Sequence, residues 1–93
     1  MEPEIRKSDI VRSVSGRDKG RLMMVLEQDA EYLLLADGRL RRLESPKRKK
    51  RKHVSLFAQS DSVAAQHLRE GAKLSNSDIR RAINEAESPV NAE

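Results

Sequence analysis

From Asp9 to Leu43 the apolar positions come in short runs, broken at close intervals by Gly, Asp and Ser, a spacing that predicts a small all-β unit. Ile10, Val11 and Val14 open a first strand, which ends at Ser15-Gly16-Arg17-Asp18-Lys19-Gly20. In the next run Leu22, Met24 and Leu26 alternate with Met23, Val25 and Glu27. Successive strand side chains point to opposite faces, so the first three are expected to form the core face. Gln28-Asp29-Ala30 turns the chain into a third run containing Tyr32, Leu33, Leu34 and Leu35. Asp37-Gly38 suits the two positive φ values of a type I′ turn and predicts a hairpin that pairs residues 31–36 with 39–43. Further on, Val54 and Leu56 offer an alternating pair for a fifth strand.

Glu44-Ser45-Pro46 breaks this pattern ahead of Lys47, Arg48, Lys49, Lys50, Arg51 and Lys52, six like charges in a row. A strand would send these charges to both faces and leave no side to set against a core. The expectation is therefore a solvated arm, or a strand extension that protrudes. Beyond residue 60 the spacing turns helical. Asp61-Ser62 can cap a short helix through Leu68, with Gly71 as its stop. Ser75 followed by Asp78 resembles a capping box with a shorter acid, and Ile79, Ala82, Ile83 and Ala86 fall at i, i+3, i+4 and i+7. About ten residues are too few for an isolated helix to persist in water, so this narrow apolar face is expected to dock on the sheet, or else on a partner. The chain divides accordingly into a β unit over 1–57 with its basic run, a helical extension over 58–87 and a disordered tail over 88–93.

Ninety-three residues fit one domain. A chain of that length buries only about 60 to 65% of its unfolded surface, which argues against a deep substrate cavity. The net charge of +4 is unevenly spread: residues 1–54 hold fifteen Lys and Arg against nine Asp and Glu, residues 55–93 four against six. Attraction to a polyanion therefore belongs to the first part. Absence of cysteine removes disulfides, thiolate metal sites and Cys nucleophiles together. The first ten residues hold no apolar run of signal-peptide length, and no segment nears the roughly 20 apolar residues of a membrane span, so a cytoplasmic protein is expected. Tyr32 and Phe57 are the only aromatic residues, which disfavours modules that stack several RNA bases on exposed rings.

The stretch Asp9-Ile10-Val11-Arg12-Ser13-Val14-Ser15-Gly16-Arg17-Asp18-Lys19-Gly20-Arg21 closely resembles the opening of a KOW motif, the strand-loop-strand element of many ribosomal proteins and of NusG-type elongation factors. Its hallmark is a glycine after a basic residue, here Lys19-Gly20. The resemblance runs to Val25 and, more loosely, through Asp37-Gly38 to His53, somewhat over half the chain. It is closest to small bacterial KOW proteins akin to the archaeal and eukaryotic large-subunit ribosomal proteins of the fourteen type. Ser8 and Met23 stand where glycines are common in the family. The resemblance implies a mainly β fold, a small SH3-like five-stranded barrel followed by one or two short C-terminal helices, whose KOW loop contacts ribosomal RNA.

Gly16 and Gly20 admit backbone conformations closed to other residues, so the loop between them can turn N–H groups towards an anion. Arg17, Lys19 and Arg21 add charge-assisted donors, with Arg12 just before them. The plainer reading is a tight turn in which Asp18 neutralises its neighbours. Arg39, Arg41 and Arg42 lie upstream of the run Lys47, Arg48, Lys49, Lys50, Arg51 and Lys52, and His53 follows it; together they predict a continuous basic surface for RNA phosphates. A solubility device or a nuclear localisation signal would use the same run. His53 and His67 lack the company of ligands a metal requires, and no Ser-His-Asp arrangement, Gly-x-Ser-x-Gly elbow or Walker loop occurs, so no metal, cofactor or catalytic role is expected. Two functions follow: binding of structured RNA, above all ribosomal RNA, or a protein-docking module of the transcription or translation machinery that uses the barrel and the last helix.

Overall fold

A computed structural model describes residues 4–88. Five antiparallel strands form one sheet, β1 (Ile10–Ser13), β2 (Leu22–Gln28), β3 (Tyr32–Ala36), β4 (Lys47–Lys50) and β5 (Val54–Ala58), in the order β4-β3-β2-β1-β5. A short 3-10 turn, Arg51–His53, joins the last two. Two helices complete the chain, α1 (Val63–Glu70) and α2 (Asn76–Glu87). No helix among the described residues is long and apolar enough to cross a membrane.

Both faces of the sheet are covered, and this corrects the expectation that only Leu22, Met24 and Leu26 of β2 face a core. Those three pack with Ile10, Ala36 and the inner residues of the helices, Ala64, Ile79, Ala82 and Ile83. Met23 and Val25, on the opposite face, are just as fully buried, in a second cluster with Ile5, Val11, Leu33, Leu35 and Val54. A strand with a core on each side needs an unbroken apolar run, which is what Leu-Met-Met-Val-Leu supplies. The ladders shift register between Val25 and Glu27 and between Ile10 and Val11, the mark of local bulges. β4 and β5 are the two edges of the sheet, with no ladder between them.

The helices begin and end where their sequence signals fall. Ser62 Oγ accepts from Ala65 N at the start of α1, and Gly71 closes it in the left-handed conformation. At α2 the capping box is complete: Asp78 N donates to Ser75 Oγ, and Ser75 N donates to Asp78 Oδ2. The Ser75 backbone N–H, followed by its hydroxyl, holds the Asp78 carboxyl below the usual carboxylate range. The apolar face of α2 is consumed by the sheet, with Ile79 and Ala82 almost fully enclosed. Of the expected tail, only Ser88 lies within the described residues.

The predicted hairpin through Asp37-Gly38 does not form. β3 pairs with β4, Leu35 opposite Lys47 and Tyr32 opposite Lys50, and residues 39–43 are not a strand. Asp37 uses its side chain otherwise: Oδ1 accepts from Arg39 N and Arg41 N, which closes the chain into a compact loop. Gly38 is pressed against α2, where a Cβ would come within 2.5 Å of the Asn76 carbonyl oxygen. The glycine is thus needed for close approach to a helix, in addition to its φ of +79°. Ser8 has the same sign of φ, +79°, a conformation that non-glycine residues rarely adopt. Its backbone N donates to Val25 O at 2.8 Å and its hydroxyl accepts from Arg69 NH1 at 3.1 Å, so the surrounding structure holds it in place.

Candidate nucleic-acid interface

Antiparallel alternation puts the β1–β2 loop and the β3–β4 loop at the same end of the sheet. Two carboxylates join them. Asp37 Oδ2 lies 4.0 Å from Arg21 NH1, and Asp18 Oδ2 lies 3.7 Å from Lys47 Nζ at the start of β4. Asp18 is nearly buried, so it does neutralise a basic residue, but one twenty-nine positions away in sequence rather than its neighbours. The result gathers Gly16, Arg17, Lys19, Gly20, Arg21, Arg39, Arg41, Arg42 and Lys47 at one end of the molecule.

Within the β1–β2 loop the backbone is folded on itself. Gly16 and Gly20 take φ of +78° and +88°. Lys19 N donates to Gly16 O, Gly20 N to Ser13 O and Arg21 N to Asp18 O. This corrects the expectation of an amide cradle at those three positions, because their N–H groups are already used to close the turn. What the loop holds out to an anion is the exposed side chains of Arg17 and Lys19. Arg12, on β1, braces the loop by donating from NH1 to Gly20 O, with its guanidinium 5.1 Å from the Phe57 ring centre.

Of the two expectations for the run 47–52, the solvated arm is not found, and the strand is present but packed rather than protruding. Residues 47–50 form β4, and alternation then sorts the charges. Lys47 and Lys49 point towards the β1–β2 loop: Lys49 is only 8% exposed and donates from Nζ to Ser15 O at 2.9 Å. A lysine stem can line an apolar interior while its ammonium reaches a carbonyl at the rim, which is how this strand charges one face and still sits against a core. Arg48 and Lys50 take the other side, over Tyr32, at 3.7 and 5.9 Å from the ring centre. Arg51 ties three segments together, donating from Nε to Asp29 O, from NH1 to Ile5 O and from its backbone N to Glu31 O. Lys52 is exposed, and the His53 carbonyl accepts from Val14 N.

The predicted continuous basic surface therefore splits. One part is the loop end described above. Arg48 and Lys50 lie apart from it around Tyr32, near the β2–β3 turn that Asp29 stabilises by accepting from Glu31 N and Tyr32 N. Those two bonds hold the Asp29 carboxyl below its ordinary range. Arg42 is offset by Glu44 at 3.7 Å, and Glu44 is itself lowered by a hydrogen bond from Asn76. The bracing role of Asn76, which also accepts from Leu43 N, has no local sequence signal, since its partners lie more than thirty positions away. Among the described residues no group of three or more His, Asp or Glu is placed to hold a metal ion. No protein-family model matches the chain, and a search of curated proteins finds no significant similarity.

Proposed function

We propose that this chain is a KOW-type RNA-binding module of the bacterial cytoplasm, its five-stranded sheet part of an SH3-like barrel, that grips structured RNA, with ribosomal RNA as the target class. The observation that carries this reading is the convergence at one end of the sheet of two loops from distant parts of the sequence, fixed by Asp18 and Asp37 and displaying Arg17, Lys19, Arg39 and Arg41. Basic side chains on braced loops match a phosphate backbone whose shape is recognised, with little ordering cost on binding. The support from sequence is the Lys19-Gly20 hallmark in a strand-loop-strand setting. For the protein-docking alternative, the apolar helix face is spent on the core, where Ile79 and Ile83 are packed, which leaves that reading the sheet surface.

Sedimentation of a native lysate through a sucrose gradient tests the proposal. Co-migration with large ribosomal particles that weakens as salt rises is the expected result. Recovery only at the top of the gradient at every salt concentration would overturn ribosome association.

A further inference from the structure

Leu40 is the most exposed large apolar side chain among the described residues, at 71%, and it stands at the tip of the β3–β4 loop between Arg39 and Arg41. A single exposed leucine is ordinary on a protein surface, so what matters here is its fixed position between two arginines. This loop is held from several sides. Asp37 Oδ1 accepts from Arg39 N and Arg41 N, while Asp37 N and Gly38 N donate to Arg41 O. Arg80 NH1 donates to Gly38 O at 2.7 Å, and Leu43 N donates to Asn76 Oδ1. None of these bonds buries Leu40; they fix the position from which it projects.

We propose that Leu40 is an apolar wedge for an unstacked nucleobase, so that the RNA recognised through this end carries a bulge, junction or open loop rather than an unbroken duplex. The inference rests on the RNA-binding reading above. An A-form duplex presents phosphates, 2′-hydroxyls and base edges, and offers a leucine no apolar partner. An open base face does, and leucine is among the apolar wedges that proteins insert between unstacked base steps of DNA. The flanking arginines supply the charge complementarity that selects RNA as the occupant, since Arg39 and Arg41 would meet the phosphates on either side of the displaced base.

The test compares two hairpin RNAs of the same stem, one with a single unpaired adenosine and one without, titrated against the full chain at fixed salt. Wild type is expected to prefer the bulged hairpin by about tenfold, the scale set by enclosing one leucine side chain. Leu40→Ala removes that preference without weakening binding to the continuous stem, and Leu40→Met restores most of it. A 2-aminopurine in the bulge changes fluorescence on binding wild type and not on binding Leu40→Ala. Equal wild-type affinity for both hairpins, or equal losses on both in Leu40→Ala, overturns the wedge while leaving RNA binding intact. Failure of wild type to bind either hairpin overturns the RNA-binding reading itself. Unchanged RNA selectivity in Leu40→Ala with loss of a protein partner would assign Leu40 to protein docking, and the wedge would fall.

Discussion

Two basic segments of this chain put their charges to opposite uses. In residues 47–52 most of the cations are turned inward or along the surface: Lys49 to Ser15 O, Arg51 to Asp29 O and Ile5 O, Arg48 onto Tyr32. In the β1–β2 loop the backbone is closed on itself and Arg17 and Lys19 are left facing solvent. Charge density along a sequence thus does not locate a phosphate grip. What matters is whether the stem of each side chain has a route to an internal acceptor.

The contrast is broken most forcefully at Lys49. Lys49→Glu places a carboxylate against the Ser15 carbonyl and is expected to destabilise the fold by about 3 to 5 kcal/mol, the cost of an uncompensated buried charge. Thermal unfolding of this variant beside Lys52→Glu checks it, because Lys52 is exposed and its reversal is expected to stay within about 0.5 kcal/mol. Similar melting temperatures for the two would dissolve the distinction. Arg51→Ala removes two charge-assisted bonds to carbonyls and is expected to cost about 2 kcal/mol, read by urea denaturation.

Converse behaviour is expected in the loop. Arg17→Ala combined with Lys19→Ala leaves stability within about 0.5 kcal/mol and lowers the slope of log K against log salt by about 2, as two lost phosphate contacts require. A variant that melts early with an unchanged slope would make the loop structural. The smallest effect is on pH. Asp29 and Asp78 have folded-state pKa values below their unfolded ones, so the stability they contribute is present above the ordinary carboxylate range and is lost as pH falls through it. Asp9 behaves oppositely, since burial raises its pKa and its contribution diminishes as pH rises. Asp29→Asn is accordingly expected to make acid unfolding shallower, measured by circular dichroism across the acid range.

How much of this was legible follows from how local each signal is. Both helices were readable at their ends, because Ser62, Gly71 and the Ser75–Asp78 box act within four residues of themselves. β1, β2 and β3 were readable from their apolar runs, although the second core behind Met23 and Val25 was not, since a continuous run does not declare that both faces are covered. β4 was half legible: a strand at 47–50 was one of two readings, but not its packing, which depends on Tyr32 across from it in β3 and on Ser15 and Asp18 in the β1–β2 loop. The same pairing displaced the hairpin expected at Asp37-Gly38, whose residues instead shape a loop against α2. Of the candidate site, Arg17 and Lys19 were readable as exposed cations, whereas the bracing roles of Arg12, Lys49 and Arg51 depend on contacts eight to forty-six positions apart.

The most direct test of the account is a map of backbone amide chemical shifts as the isotopically labelled protein is titrated with a structured ribosomal RNA fragment. The largest changes are expected at residues 16–21 and 39–42, with Asp29, Arg51 and α1 nearly still. Changes concentrated at residues 48–52 and around Tyr32, with a quiet β1–β2 loop, would contradict it.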